Sequence, residues 1–155
     1  YSTYRFTKRE VLEKIPSDEI WAEADKMWKP LTVAKRWSNL YSADNIPCKL
    51  ASIRAMRGLS VDDISKDTED IPEEMVQELA VAEHNRWTVE KLLLGFRMAH
   101  PCEDKYENAE FAKQLGKNKN LFIHHDIRPY DDLDIVKNLD YEIVKLIPWI
   151  VAMTK

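Results

Sequence analysis

The chain has 155 residues, of which 45% are hydrophobic and 32% charged, and its formal net charge is −4. This balance is typical of a globular domain with a sizeable core and excludes a disordered tail. Three glycines are too few for a turn-rich all-β sandwich. The charge is not that of a nucleic-acid-binding protein, and no apolar run approaches the ~20 residues that span a bilayer. We therefore expect no nucleic-acid binding and no membrane insertion.

The first third of the sequence predicts four short helices. Thr7 and Glu10 fit a capping box, and Ser17 fits the N-cap of the second helix. Prolines and a glycine interrupt the helical spacing of the apolar side chains. The predicted helices cover about residues 7–15, 17–29, 31–41 and 47–57.

An acidic segment and a long helix follow. Residues 61–74 hold seven acidic residues against Lys66, and such a run predicts an exposed connector. Pro72 fits the first turn of the long helix, and Gly95 fits its C-terminal cap.

The remainder of the chain is less regular. The polar residues 100–120 predict a long loop with a helical turn over 109–115, and a short strand is predicted at 121–123. Asp140 fits the N-cap of a last helix that is bent at Pro148.

We expect two parts along the chain, residues 1–70 and residues 74–152. The first is a helical N-terminal extension whose helices are too short to bury their tryptophans alone, so we expect it to pack on the second. The predicted fold class is mainly α, with minor short strands in the second part.

The two cysteines and the first residue predict the cellular compartment of the protein and its origin in a longer chain. Cys48 and Cys102 lie far apart without a CxxC motif, which indicates unpaired thiols in a reducing, cytoplasmic compartment. Because the chain begins with Tyr1 rather than Met, we expect a piece of a longer protein, whose other domains are among its partners.

Two stripes of side chains run along nearly opposite sides of the long helix. This pattern predicts a central helix that is packed from both sides. Arg86 lies in the first stripe and needs an acidic partner there, for which Asp140 and Asp126 are candidates. The stripes hold Met75, Leu79, Ala82, Arg86, Val89 and Leu93, and Val76, Ala80, His84, Trp87, Lys91 and Leu94.

The second stripe places a histidine, an indole and a cation in a row. His84 and Trp87 are i, i+3 neighbours, and Lys91 follows one turn later. Indole rings stack on flat rings and ammonium groups neutralise phosphate, so the row suits a planar anionic ligand. A buried His–Trp pair beside an exposed lysine is the alternative.

The run HNRWTVEKLLLGFR, followed after a polar loop by HHDIRPYDDL, resembles the RyR domain, the repeat of ryanodine receptors that also occurs as single copies in bacterial proteins. The resemblance covers about residues 74–152. It implies a small helical module without known catalysis, which serves as a regulatory or ligand-sensing part of larger proteins. It also implies an association with adenine nucleotides. The matching positions are His84, Trp87, Lys91, Leu92, Gly95, Phe96, His124, Asp126, Ile127, Pro129, Tyr130, Leu133 and Asp140.

These observations predict a nucleotide site. We expect Trp87 to stack a nucleobase or a similar flat ring and Lys91 to meet its phosphate, with Arg97 or Arg128 as a further phosphate contact. Arg86 and Asp140 form a structural salt bridge. We expect no catalytic residues, no metal and no cofactor. The complete predicted ligand-binding set is His84, Trp87, Lys91, Arg97, Arg128 and Tyr130.

Two other functions compete with ligand sensing. A docking module would bind another protein chain, or a second copy as a homodimer, and would have no small-molecule ligand. An HD-type metal-dependent phosphohydrolase is suggested by the pair His125 and Asp126, with His84 or His100 and Asp140 as nominal further ligands. No Gly-rich phosphate loop, GxSxG or Cys–His signature accompanies that pair.

Overall fold

The computed structural model describes residues 14–103, 110, 122–134 and 136–154. The predicted helix that begins at Thr7 lies outside these residues as far as residue 13, and so does the predicted turn over 109–115 apart from Glu110. The described chain is mainly helical with one short pair of strands, which confirms the predicted fold class.

Helices account for most of the described residues. The two strands are parallel, with Arg97 opposite Ile123 and Met98 opposite His124. None of the described helices is both long and apolar enough to cross a membrane. The elements are α1 (Ser17–Trp28), α2 (Val33–Asp44), α3 (Ile46–Met56), α4 (Glu73–Leu93), β1 (Arg97–Met98), β2 (Ile123–His124) and α5 (Lys137–Met153).

Helix starts differ in detail from the prediction. Pro16 rather than Ser17 takes the N-cap position of α1, because its carbonyl accepts the first helical hydrogen bond, from the N–H of Ile20 at 3.1 Å. Thr32 caps α2 by accepting a hydrogen bond from the backbone N–H of Lys35. The helix α5 starts at Lys137, so Asp140 lies in its first turn, where the helix dipole favours a carboxylate, rather than at its cap.

Two glycines end helices as predicted. Gly58 follows α3 with φ +71° and Gly95 follows α4 with φ +86°. At the end of α4, the N–H of Phe96 donates to the carbonyl of Lys91 at 2.9 Å, and the N–H of Gly95 donates to the carbonyl of Leu92 at 3.0 Å. This is a Schellman motif, which needs a residue with positive φ at this position.

The acidic connector is held more firmly than predicted. Arg54 Nε donates to Asp67 Oδ1 at 2.8 Å, and Asp67 is buried. Arg57 donates to the carbonyls of Lys66 at 2.7 Å and Asp70 at 2.8 Å. Arg54 of α3 and its C-cap residue Arg57 therefore fix this segment, which is largely exposed, as predicted.

The chain divides into two compact units. Unit 1 comprises residues up to Glu83 together with Asn138–Lys155, and unit 2 comprises His84–Lys137. The first boundary falls inside α4, whereas the predicted division into residues 1–70 and 74–152 stays a prediction. In unit 1, side chains of α3, α4 and α5 share one apolar core, namely Leu50, Ile53, Val76, Leu79, Val144 and Ile147.

The expectation that α4 is packed from both sides is wrong. Leu93 is 83% exposed, and Val89 and Ala82 are exposed as well. The first stripe therefore faces solvent at Ala82, Val89 and Leu93, although Leu79 in the same stripe is buried. The buried residues of α4 are Val76, Leu79, Ala80, Glu83, His84 and Glu90.

Candidate ligand site in unit 2

The predicted row of His84, Trp87 and Lys91 lies together on the last turns of α4. The rings of His84 and Trp87 are stacked, with centroids 5.7 Å apart and planes inclined by 28°. Lys91 Nζ lies over the Trp87 ring, 5.6 Å from its centroid. The helical spacing read from the sequence thus brings the three side chains into contact.

His84 is held by hydrogen bonds and rings. It is only 2% exposed, and its Nε2 lies 2.8 Å from the carbonyl oxygen of Arg128. Because a carbonyl only accepts, Nε2 carries the proton and donates it. Tyr130 meets the His84 ring edge-on at 5.9 Å.

Trp87 is half-buried and belongs to a wider group of rings, which we call the ring cluster: His84, Trp87, Phe96, Phe122, His124 and Tyr130. The rings of His124 and Trp87 are nearly perpendicular, with centroids 4.7 Å apart. Phe96 contacts His124 at 6.0 Å and Phe122 at 5.4 Å. The predicted site omitted Phe96, Phe122 and His124, although two of them belong to the quoted motif.

A buried carboxylate joins two cations beside the indole. Glu90 accepts from Lys91 at 2.8 Å through one oxygen and from Arg86 at 3.0 Å through the other. The prediction missed Glu90, although its i, i+4 spacing from Arg86 is the usual signal for such a pair. The predicted pairing of Arg86 with Asp140 stays a prediction.

Arg97 is engaged by Glu103. Two guanidinium nitrogens lie 2.7 Å from the two carboxylate oxygens, and His100 donates its backbone N–H to the same group at 3.0 Å. The hydrogen bonds from Arg97, followed by the one from His100, lower the pKa of Glu103 to about 2. The carboxylate in turn raises the pKa of Arg97.

Arg128 and Tyr130 both make hydrogen bonds to the backbone. Arg128 Nε donates to the carbonyl of His125 at 2.5 Å. The Tyr130 hydroxyl donates to the carbonyl of Lys137 at 3.3 Å. These two predicted ligand residues therefore fix the turn that faces His84.

The segment with the HD pair folds as a tight turn. The backbone N–H of Asp126 donates to His124 Nδ1 at 3.3 Å, and His125 is buried. Among the residues that the structure describes, no group of three or more His, Cys, Asp or Glu side chains could hold a metal ion together.

Comparisons of the chain with protein-family models, curated proteins and solved structures gave no match. The resemblance of the motif residues to RyR domains therefore stays a prediction. The site itself consists of the half-buried indole of Trp87, with the ammonium group of Lys91 over its ring. Beside it, the carboxylate of Glu90 contacts two cations.

Proposed function

We propose that unit 2 is a non-catalytic, RyR-type ligand-sensing module of a larger cytoplasmic protein, and that it binds a planar anionic ligand such as an adenine nucleotide. The observation that carries this proposal is the position of Lys91 Nζ, 5.6 Å from the centroid of the Trp87 ring. Indole rings stack on bases and ammonium groups neutralise phosphate, so a base would take the place of Lys91 over the indole while Lys91 meets the phosphate.

Ligand binding would require Lys91 to exchange its contact with Glu90 for a contact with the phosphate, and the second cation at Glu90 makes this exchange feasible. Lys91 would turn from Glu90 toward the phosphate, which would break a contact of 2.8 Å. Glu90 would keep Arg86, which contacts its other oxygen at 3.0 Å. The buried carboxylate would therefore not be left unpaired, which is the costly outcome.

The remaining predicted residues receive supporting roles. Arg97 is held at both ends of its guanidinium by Glu103, so a ligand would have to displace a carboxylate of low pKa to reach it. His84, Tyr130 and Arg128 orient the indole and the facing turn. We therefore assign the phosphate to Lys91.

Calorimetric titration and thermal shift with mono-, di- and cyclic nucleotides test the proposal. A ligand at about 100 times its dissociation constant should add ~2.7 kcal/mol to the free energy of unfolding. At roughly 2–4 °C per kcal/mol, the melting temperature should rise by ~5–10 °C. Absence of binding across the whole panel would reject nucleotide sensing.

Variants of the site are compared with matched control variants elsewhere in the chain, which distinguishes the loss of a ligand contact from a general effect of the substitution. Lys91→Met should weaken nucleotide binding by about tenfold or more, the loss of a charge-assisted contact. Lys145→Met is its control, because Lys145 lies 5.3 Å over the ring of Tyr141 in the same kind of contact elsewhere. Trp87→Phe should weaken binding, whereas Trp37→Phe should not. Equal losses in a variant and its control would contradict the assignment.

A further inference from the structure

Two cations beside Trp87 share one carboxylate. Arg86 Nη1 contacts one oxygen of Glu90 at 3.0 Å, and Lys91 Nζ contacts the other at 2.8 Å. All three side chains belong to α4 and are largely shielded from water, with 7% of Glu90, 12% of Lys91 and 18% of Arg86 exposed. Ion pairs shielded in this way are stronger than pairs at the surface, so Glu90 restrains both cations.

The contact between Glu90 and Lys91 fixes the ammonium group where a ligand would have to bind. Lys91 Nζ lies over the indole ring of Trp87, 5.6 Å from its centroid. A flat ring that stacks there must displace the ammonium group, and a phosphate must draw it away from Glu90. The carboxylate therefore opposes both steps in the ligand-free chain.

Arg86 acts in the opposite direction. It lies one turn before Glu90 on α4 and shares the carboxylate with Lys91. When Lys91 leaves, Glu90 keeps a cation, and the high cost of a buried, unpaired carboxylate is avoided. Arg86 therefore lowers the free energy that is needed to release Lys91, and it needs no contact with the ligand to do so.

We propose that Glu90 is an inhibitory residue of the nucleotide site, which holds Lys91 in its ligand-free position, and that Arg86 sets how readily Lys91 is released. This inference rests on the proposed function, because it concerns the regulation of that same site. It assigns control of the affinity to two residues that do not contact the ligand. The balance of charges at Glu90 thus determines the nucleotide concentration to which the site responds.

Calorimetric titration of the full chain with adenosine mono-, di- and triphosphate tests the proposal. Glu90→Gln should bind about three- to tenfold more tightly than the native chain, because a neutral amide releases Lys91. Arg86→Met should bind about three- to tenfold more weakly, because Glu90 then holds Lys91 alone. A variant that merely damaged the structure of the site would weaken binding in both cases.

Glu78→Gln is the matched control for net charge. Glu78 is an exposed acid of the same helix, about 18 Å from Glu90 along the helix axis. This separation exceeds the Debye length of ~8 Å at physiological ionic strength. The control should therefore change the affinity by less than about twofold.

A double-variant cycle separates the release of Lys91 from a change in the local field. Removal of an acid near an anion site strengthens binding through the field alone, whether or not Lys91 is present. The proposed release requires Lys91. In a Lys91→Met background, Glu90→Gln should therefore change the remaining affinity by less than about twofold.

The results that overturn this proposal differ from those that reject the proposed function. Unchanged or weaker binding by Glu90→Gln, or an equal gain with and without Lys91, would overturn the inhibitory role and leave nucleotide binding in place. If Glu90→Gln does not fold, Arg86→Met decides, and native affinity in that variant would overturn the role. Binding of none of these nucleotides by the native chain or by Glu90→Gln would reject the proposed function itself.

Discussion

Glu103 shows how a single residue couples the fold of unit 2 to pH. Its pKa falls from an ordinary value of 4.5 to about 2, chiefly because Arg97 donates two hydrogen bonds to the ionised form. A pKa that is lower in the folded chain stabilises the fold above the ordinary value, and the stabilisation is lost as pH falls toward the lowered one. The relevant window is therefore about pH 4.5 to 2.

A carboxyl titration by NMR checks this prediction. The Glu103 signal should titrate with a midpoint of about 2 in the native chain. In Arg97→Gln the midpoint should return toward 4.5, the ordinary value. A native midpoint already near 4.5 would mean that the pair does not persist in solution.

Between elements, a buried ion pair joins α3 to α4 in unit 1. Lys49 Nζ lies 2.6 Å from Glu83, with side chains 4% and 2% exposed, and Ser42 donates to the same carboxylate at 2.8 Å. Removing one member leaves a buried ammonium, so Glu83→Gln should cost about 3–5 kcal/mol of unfolding free energy. Glu69→Gln, in the exposed pair with Lys66, should cost at most about 1 kcal/mol.

Denaturant unfolding of both variants measures these costs. Similar values for Glu83→Gln and Glu69→Gln would contradict burial of the Lys49–Glu83 pair. The double variant Lys49→Met with Glu83→Leu should recover much of the loss, because it removes both charges together.

Element prediction succeeded where the signal is local. Helix ends at Gly58 and Gly95 were predicted because glycine tolerates positive φ. The cap at Thr32 was not predicted, although a threonine directly before a helix is a local signal. The strand pair has no such local signal. A strand of two residues, Arg97 and Met98, is too short to show an alternation of apolar and polar side chains, and its partner strand lies far away in the sequence.

The sequence predicted the part of the candidate site that depends on spacing along one helix. Spacing along α4 placed His84, Trp87 and Lys91 in one row, as the structure does. The pairing of Glu90 with Arg86 and Lys91 could have been predicted from their spacing on α4. Its burial could not, because spacing along one helix does not show which side of that helix other segments cover.

At the scale of the molecule, the core of unit 1 is assembled from three separate stretches of chain. Leu50 and Ile53 of α3 pack with Val76 of α4 and with Val144 and Ile147 of α5. A chain of residues 72–155 therefore lacks one side of this core. It should unfold at a clearly lower denaturant concentration than the whole chain, and an equal midpoint would contradict the shared core.

The central functional claim is that a planar anion binds at Trp87. The chain has five tryptophans, so the indole N–H signals in an NMR spectrum distinguish the sites directly, with Trp87 assigned by the Trp87→Phe variant. On titration with adenosine triphosphate, the Trp87 signal should shift saturably, while those of Trp21, Trp28, Trp37 and Trp149 stay in place. A spectrum in which no indole signal moves, or only the other four move, would contradict the claim.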